Sequence, residues 1–125
     1  MSTKVLLAVQ IIAGLMLIVF GSNKFFGFLS MSPPAAEMGA FLGALFATGY
    51  LFKIVAVIEI AAGLAFVLNK YVALMAVVLM PVMLNAFLAH LFLDPSGIAG
   101  SAVIVLFIII IMIGHKDRYT RLLQA

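Results

Sequence analysis

Six of the polar side chains that fall inside long apolar runs or at their edges could form a single site, and each of them needs a physical explanation. They are Asn23, Lys24, Lys53, Glu59, Asn85 and His90. Ammonium, amide and imidazole groups donate hydrogen bonds, and a carboxyl group can take up and release protons. Such groups in apolar surroundings predict either a ligand site with proton-transfer chemistry or a set of structural hydrogen bonds. Their residue types and spacing do not identify a catalytic residue.

Glu59 is the most informative of these residues, because it lies near the middle of an apolar segment. A charge at the centre of a membrane span costs about 2.5–3.5 kcal/mol on insertion scales. Ala62 and Gly63 follow at three and four positions, and small residues allow helices to approach closely. We therefore expect Glu59 to lie on a packing face, turned towards neighbouring helices and away from lipid.

Counted along the helices from the turn at Asn69, Lys53 and Asn85 lie further outward than Glu59, and His90 lies further outward again. Lys24 on the first span also reaches the outer boundary. The sequence therefore predicts a polar pocket that opens outward and is lined by all six side chains. Lys53 lies six positions from Glu59, about 120° around the same helix, so a direct pair between them is not assured. His90 and Asp94 are spaced to hydrogen-bond at i, i+4.

Structural explanations compete with each of these assignments. Glu59 and Asn85 could hold helices together as hydrogen-bonding residues. Lys24 and Lys53 could extend to the outer headgroups, and His90 could be an ordinary interface residue.

Several kinds of chemistry are not supported by the sequence. The chain has no cysteine, which excludes disulfides, thiol nucleophiles and thiolate metal sites. His90 and His115 lie at opposite ends of their spans, which argues against a haem held by two histidines, and no other metal constellation is present. The formal charge of +3 is too small and too scattered for a nucleic-acid surface.

The elements that position the polar residues are predicted to be transmembrane helices. The chain is 67% hydrophobic and 9% charged, and a water-soluble domain of 125 residues could not bury that much apolar surface. The apolar segments lack the two-residue alternation of polar and apolar side chains that the strands of a membrane β-barrel would need. We predict an all-α membrane protein: one domain over residues 1–125, a bundle of four transmembrane helices at about 5–28, 50–68, 71–93 and 98–114.

The connections between these spans differ in kind. Asn69-Lys70 is a tight turn, and Asp94-Pro95-Ser96-Gly97 is a short one. The first connection is long, with Ser30-Met31-Ser32-Pro33-Pro34 followed by an apolar stretch over 35–47 that is too short to cross a bilayer. We expect a short interfacial or re-entrant helix there, between the first two spans.

Lysine and arginine placement predicts the orientation. Lys4, Lys70, Lys116, Arg118 and Arg121 fall at the two termini and the second connection, which share one side of a four-span protein. Because basic residues favour the cytoplasmic side, both termini are expected in the cytoplasm.

Three segments resemble motifs of the DoxX family. Gly14-Leu15 with Gly21-Ser22-Asn23-Lys24-Phe25 resembles its "G…G..KF" first helix, and Glu59 with Gly63-Leu64 its "E…GL" second helix. The segment from Pro81 to Gly97, with Asn85 and His90, is similar to the end of its third helix. The order and spacing of the three motifs cover nearly the whole chain.

This resemblance implies a multi-pass protein of the bacterial inner membrane that works as an accessory subunit of a membrane redox system. It implies no shared catalytic residues. A quinone or similar lipophilic molecule would be the ligand, with Lys24, Lys53, Asn85 or His90 as donors and Glu59 as a proton relay. No redox cofactor is encoded, so electrons would come from a membrane or peripheral oxidoreductase. The alternative is a non-enzymatic scaffold or lipid-binding protein, and the exposed aliphatic faces would permit a homo-oligomer.

Overall fold

Every regular element in the part of the chain that the computed structural model describes, residues 2–30 and 33–125, is helical. The α-helices are α1 (Thr3–Phe26), α2 (Ala36–Ala47), α3 (Leu51–Leu68), α4 (Val72–Leu93) and α5 (Ile98–Gly114), and short 3-10 helices at Pro95–Gly97 and Lys116–Tyr119 flank α5. Helices α1, α3 and α4, and α5 together with the 3-10 turn before it (Pro95–Gly114), are long and apolar enough to cross a membrane. The predicted all-α bundle of four spans, with a short helix between the first two, is confirmed. The chain is a multi-pass membrane protein.

The helix ends follow from local chemistry. The Ser2 hydroxyl accepts a hydrogen bond from the Val5 amide at 3.1 Å and caps α1. Asn69 ends α3 with a φ of +55°, a left-handed conformation that asparagine tolerates, and this closes the tight turn into α4. Of the long first connection, Met31 and Ser32 lie outside the described residues.

Helices α1 and α3 pack closely through matching stripes of small residues. The buried positions are Gln10, Ala13, Gly14, Leu17 and Gly21 on α1, and Ala56, Glu59, Ala62, Gly63 and Phe66 on α3. A Cβ atom on Gly14 would lie 2.7 Å from the Gly63 carbonyl oxygen, and a Cβ atom on Gly63 would lie 2.7 Å from the Gly14 carbonyl oxygen. The two backbones therefore touch, and only glycine fits at this crossing.

The remaining spans complete an apolar core at one end of the bundle. Leu17 and Phe66 meet Leu79 of α4 and Ile108 of α5 there, all essentially inaccessible. Towards the other end, the spans enclose a cavity with α2 on its wall. Core packing therefore fixes the helices at one end and leaves room at the other.

Candidate functional site

An ion pair between α1 and α3 forms the polar centre of the site. Lys24 Nζ donates to Glu59 Oε2 at 2.9 Å. The Glu59 residue is 3% exposed, which confirms that it faces the bundle interior, whereas the Lys24 side chain is 24% exposed. A Cβ atom on Gly21 would lie 3.1 Å from the Glu59 Cβ, so the missing side chain allows α1 to approach α3 at this level. Lys24, three positions later, then reaches the carboxylate.

A cavity of about 480 Å³ adjoins this pair and is bounded by all five helices. Most of its wall is apolar, including four side chains of α2: Met38, Phe41, Leu42 and Leu45. The polar groups on its wall are Lys24, Glu59, Asn85, His90 and Ser101. Its size and its mostly apolar lining with a few convergent polar groups are those of a small-molecule site. Among the described residues, no group of three or more His, Cys, Asp or Glu side chains could hold a metal ion.

His90 presents an acceptor to the cavity. Its Nδ1 lies 3.0 Å from the Ala86 carbonyl oxygen, and since a carbonyl can only accept, Nδ1 carries the proton. In the neutral ring Nε2 is then an acceptor, whereas a donor role for Nε2 would require the protonated ring. The ring lies against Gly97, where a Cβ atom would be 3.1 Å from Nε2.

The predicted hydrogen bond between His90 and Asp94 is wrong. Asp94 Oδ2 accepts from the Ala35 amide at 3.0 Å, and Oδ1 accepts from the Ser96 hydroxyl. These two hydrogen bonds, first that of Ser96, lower the pKa of the Asp94 carboxyl. Both partners of the expected pair are therefore engaged elsewhere, and Asp94 instead fixes the start of α2 at the end of the bundle that holds the cavity.

Asn85 and Ser101 complete the polar wall. Asn85 makes no side-chain hydrogen bond to any residue in the described ranges, so its carboxamide is available as both donor and acceptor. The Ser101 hydroxyl donates to the Ile98 carbonyl at 3.0 Å. With its proton used, Ser101 has only lone pairs left for a ligand.

Two of the six predicted site residues lie away from the cavity. Asn23 Oδ1 accepts from the Leu29 amide at 2.8 Å and holds the turn after α1. Lys53 is exposed and borders a separate shallow groove on α3, beside Tyr50 and Val57. The angular offset of about 120° between Lys53 and Glu59 turns the lysine away from the cavity.

A second polar cluster, which sequence reasoning missed, joins three segments at the opposite end of the bundle. Gln10 is 2% exposed, and its Nε2 donates to Asn69 Oδ1 at 2.9 Å. Gln10 Oε1 accepts from His115 Nε2 at 2.7 Å. Tyr119, just beyond α5, donates to the Ala73 carbonyl at 2.7 Å. The signal was present, because each segment has a polar residue near an end that topology places on the same side.

This second cluster predicts a pH-dependent stability. Burial, and then the charge of Arg118, lowers the pKa of His115 below its ordinary value of about 6.5. The unfolded chain therefore binds the proton more readily. The contribution of His115 to stability is complete above about pH 6.5 and is lost as pH falls through the lower folded pKa. Thermal unfolding in detergent from about pH 8 to about pH 5 measures it, and His115→Gln should flatten the dependence. An equal dependence in both proteins would contradict the assignment.

The fold and the cavity define the class of protein: a four-span helical membrane protein with a polar-walled pocket between its spans. Comparison of the chain with protein-family models, with curated proteins and with solved structures finds no match.

Proposed function

We propose that the chain is a DoxX-like accessory subunit of a membrane redox system that holds a quinone or a similar lipophilic molecule in the cavity. The observation that carries this proposal is the combination of about 480 Å³ of apolar-lined space with a partly buried ion pair on its wall. The ring of a quinone suits the apolar wall, and its carbonyl oxygens suit the free N–H groups of Lys24 and the Asn85 carboxamide. Electrons would come from a partner oxidoreductase.

The motif residues support the same proposal by their placement. Gly14 and Gly63 form a close crossing of α1 and α3, and Gly21 makes room for the Lys24–Glu59 pair. Residues that carry the resemblance in two separate segments thus act together in one interface. That interface forms one side of the proposed ligand site.

We further propose that the cavity faces the outer half of the bacterial inner membrane, with both termini in the cytoplasm. Hydrogen bonds of Gln10 with Asn69 and His115 hold the N-terminal half of α1, the α3–α4 turn and the end of α5 together. The basic residues of those segments then lie at one end of the bundle, and this favours a cytoplasmic location for that end. Glu37 and Asp94 lie at the other end, with α2 and the cavity.

Quinone binding tests the proposal. Lipophilic molecules are extracted from the purified protein, and their quinone content is measured. Binding of a decyl-substituted benzoquinone to the protein is measured separately. Ala89→Phe places a ring in the cavity and should remove most of the binding, because Ala89 lies on the cavity wall. Ala61→Phe is the matched control, since Ala61 is exposed on a spanning helix. Absence of quinone from the native protein, or equal binding by both variants, would contradict the proposal.

One observation favours a second candidate function, a non-enzymatic membrane scaffold. The Lys24–Glu59 pair satisfies its charges within the protein, as a structural pair would. A scaffold role predicts that Glu59→Gln loses thermal stability but keeps its cellular activity. A redox-subunit role predicts that Glu59→Gln lowers the cellular activity by a larger factor than it lowers the amount of folded protein.

A further inference from the structure

The cavity wall has more free hydrogen-bond acceptors than donors. Glu59 uses Oε2 for Lys24, while Oε1 has no partner in the described part of the chain and keeps some accessible surface on a residue that lines the cavity. His90 has used its Nδ1 proton on a carbonyl, and Ser101 has used its hydroxyl proton in the same way. A ligand head that meets these groups must supply a hydrogen, because two acceptors cannot bond to each other.

The charges on the wall argue against an anionic head. Lys24 and Glu59 neutralise each other at 2.9 Å, so the pair presents no net positive charge to a ligand. A carboxylate or phosphate placed beside Lys24 would also lie close to the Glu59 carboxylate and would lose hydration without a free cation. A neutral head avoids both costs.

The rest of the cavity suits an alkyl or isoprenoid chain. Phe20 of α1 and Phe41 and Leu45 of α2 belong to an apolar wall that offers a chain no hydrogen bonds. A molecule that fits both regions is therefore an amphiphile, with its polar head at the Lys24–Glu59 level and its apolar part against the helices.

From this arrangement we infer that the cavity selects neutral amphiphiles whose head bears a hydroxyl group, with Glu59 Oε1 as the buried acceptor and His90 Nε2 as a second acceptor on the same wall. The inference rests on the proposed function, because it concerns the ligand of the same cavity. For a quinone couple it means that the reduced, dihydroxy form binds more tightly than the oxidised form. The donors of Lys24 and Asn85 remain available for the lone pairs of the hydroxyl oxygen.

A pair of probes that differ only in the hydroxyl hydrogen tests this inference. Binding of para-decylphenol and of its methyl ether is measured on the full-length protein, with the Ala89→Phe variant as the blank for partition into detergent. A hydrogen bond to a charged acceptor predicts that the phenol binds about tenfold or more tightly than the ether. Decanoate, a matched anion, should not displace the phenol.

A second variant assigns the acceptor. Lys24→Met combined with Glu59→Met removes the acceptor and its cation together, and it should bring phenol and ether binding to similar levels. Equal binding of the two probes by the native protein, or displacement of the phenol by decanoate, would overturn the hydroxyl selectivity. If the decyl benzoquinone still bound in that case, the proposed function would stand. If the quinone and both probes failed to bind, both proposals would fall together.

Discussion

Replacing Lys24 with methionine is expected to lower the free energy of unfolding by about 3–5 kcal/mol. Glu59 is a 3% exposed residue, and the change leaves its carboxylate without the cation that neutralises it at 2.9 Å. Burying an unpaired charge costs far more than a pair contributes, since the desolvation of the remaining ion is no longer offset. Unfolding of the purified protein in a mild detergent, followed by circular dichroism, measures the loss.

Two matched variants separate this effect from the loss of a long side chain. Lys53→Met removes a lysine that has no ion-pair partner in the described ranges, and it should change stability by no more than about 0.5 kcal/mol. Lys24→Met with Glu59→Met removes both charges and should recover most of the loss caused by Lys24→Met alone. If the single change at Lys24 cost no more than the change at Lys53, the ion pair would have no structural importance.

The sequence was sufficient to predict the fold class and the direction of Glu59. Long apolar segments with short polar connections leave little freedom in the number of spans. A carboxyl group in mid-span next to Ala62 and Gly63 must face other helices, because lipid offers it no partner. Both conclusions rest on large free-energy differences that do not depend on the details of packing.

The partner of Glu59 could not be read from the sequence. Counting residues gives depth along a helix but does not give the rotation of one helix against another. Lys53 and Lys24 were both predicted to line the pocket, and neither was assigned to Glu59; the pairing with Lys24 depends on how closely α1 approaches α3 at Gly21. The six-residue spacing argued only against a direct pair between Lys53 and Glu59.

The pairing of Asp94 was missed for a different reason. Local spacing allowed a hydrogen bond with His90, but that bond competes with partners brought in by tertiary structure. The Ala35 amide reaches Asp94 from 59 positions away in the chain. Exposed backbone N–H groups at the start of a helix attract a carboxylate, and their position here depends on how α2 docks.

Introducing alanine at Gly14 should destabilise the protein by about 1–3 kcal/mol. The added Cβ would lie 2.7 Å from the Gly63 carbonyl oxygen and 2.8 Å from Val67 Cγ2. The first of these atoms is backbone, so relief requires α1 to move away from α3. Such a shift would also lengthen the Lys24–Glu59 pair, and quinone binding should weaken together with stability.

Gly43→Ala provides the matched control for that change. Gly43 lies in the interior of α2 and not on the cavity wall, and nothing lies within 4 Å of the position its Cβ would occupy. Because alanine is about 1 kcal/mol better than glycine in a helix, this variant should be neutral or slightly more stable. Chemical unfolding in the same detergent gives the free energy of unfolding of both variants. The difference between them separates the lost contact between helices from the effect of helix propensity. Equal stabilities would mean that α1 and α3 do not cross at Gly14 and Gly63, and the geometry that brings Lys24 to Glu59 would lose its basis.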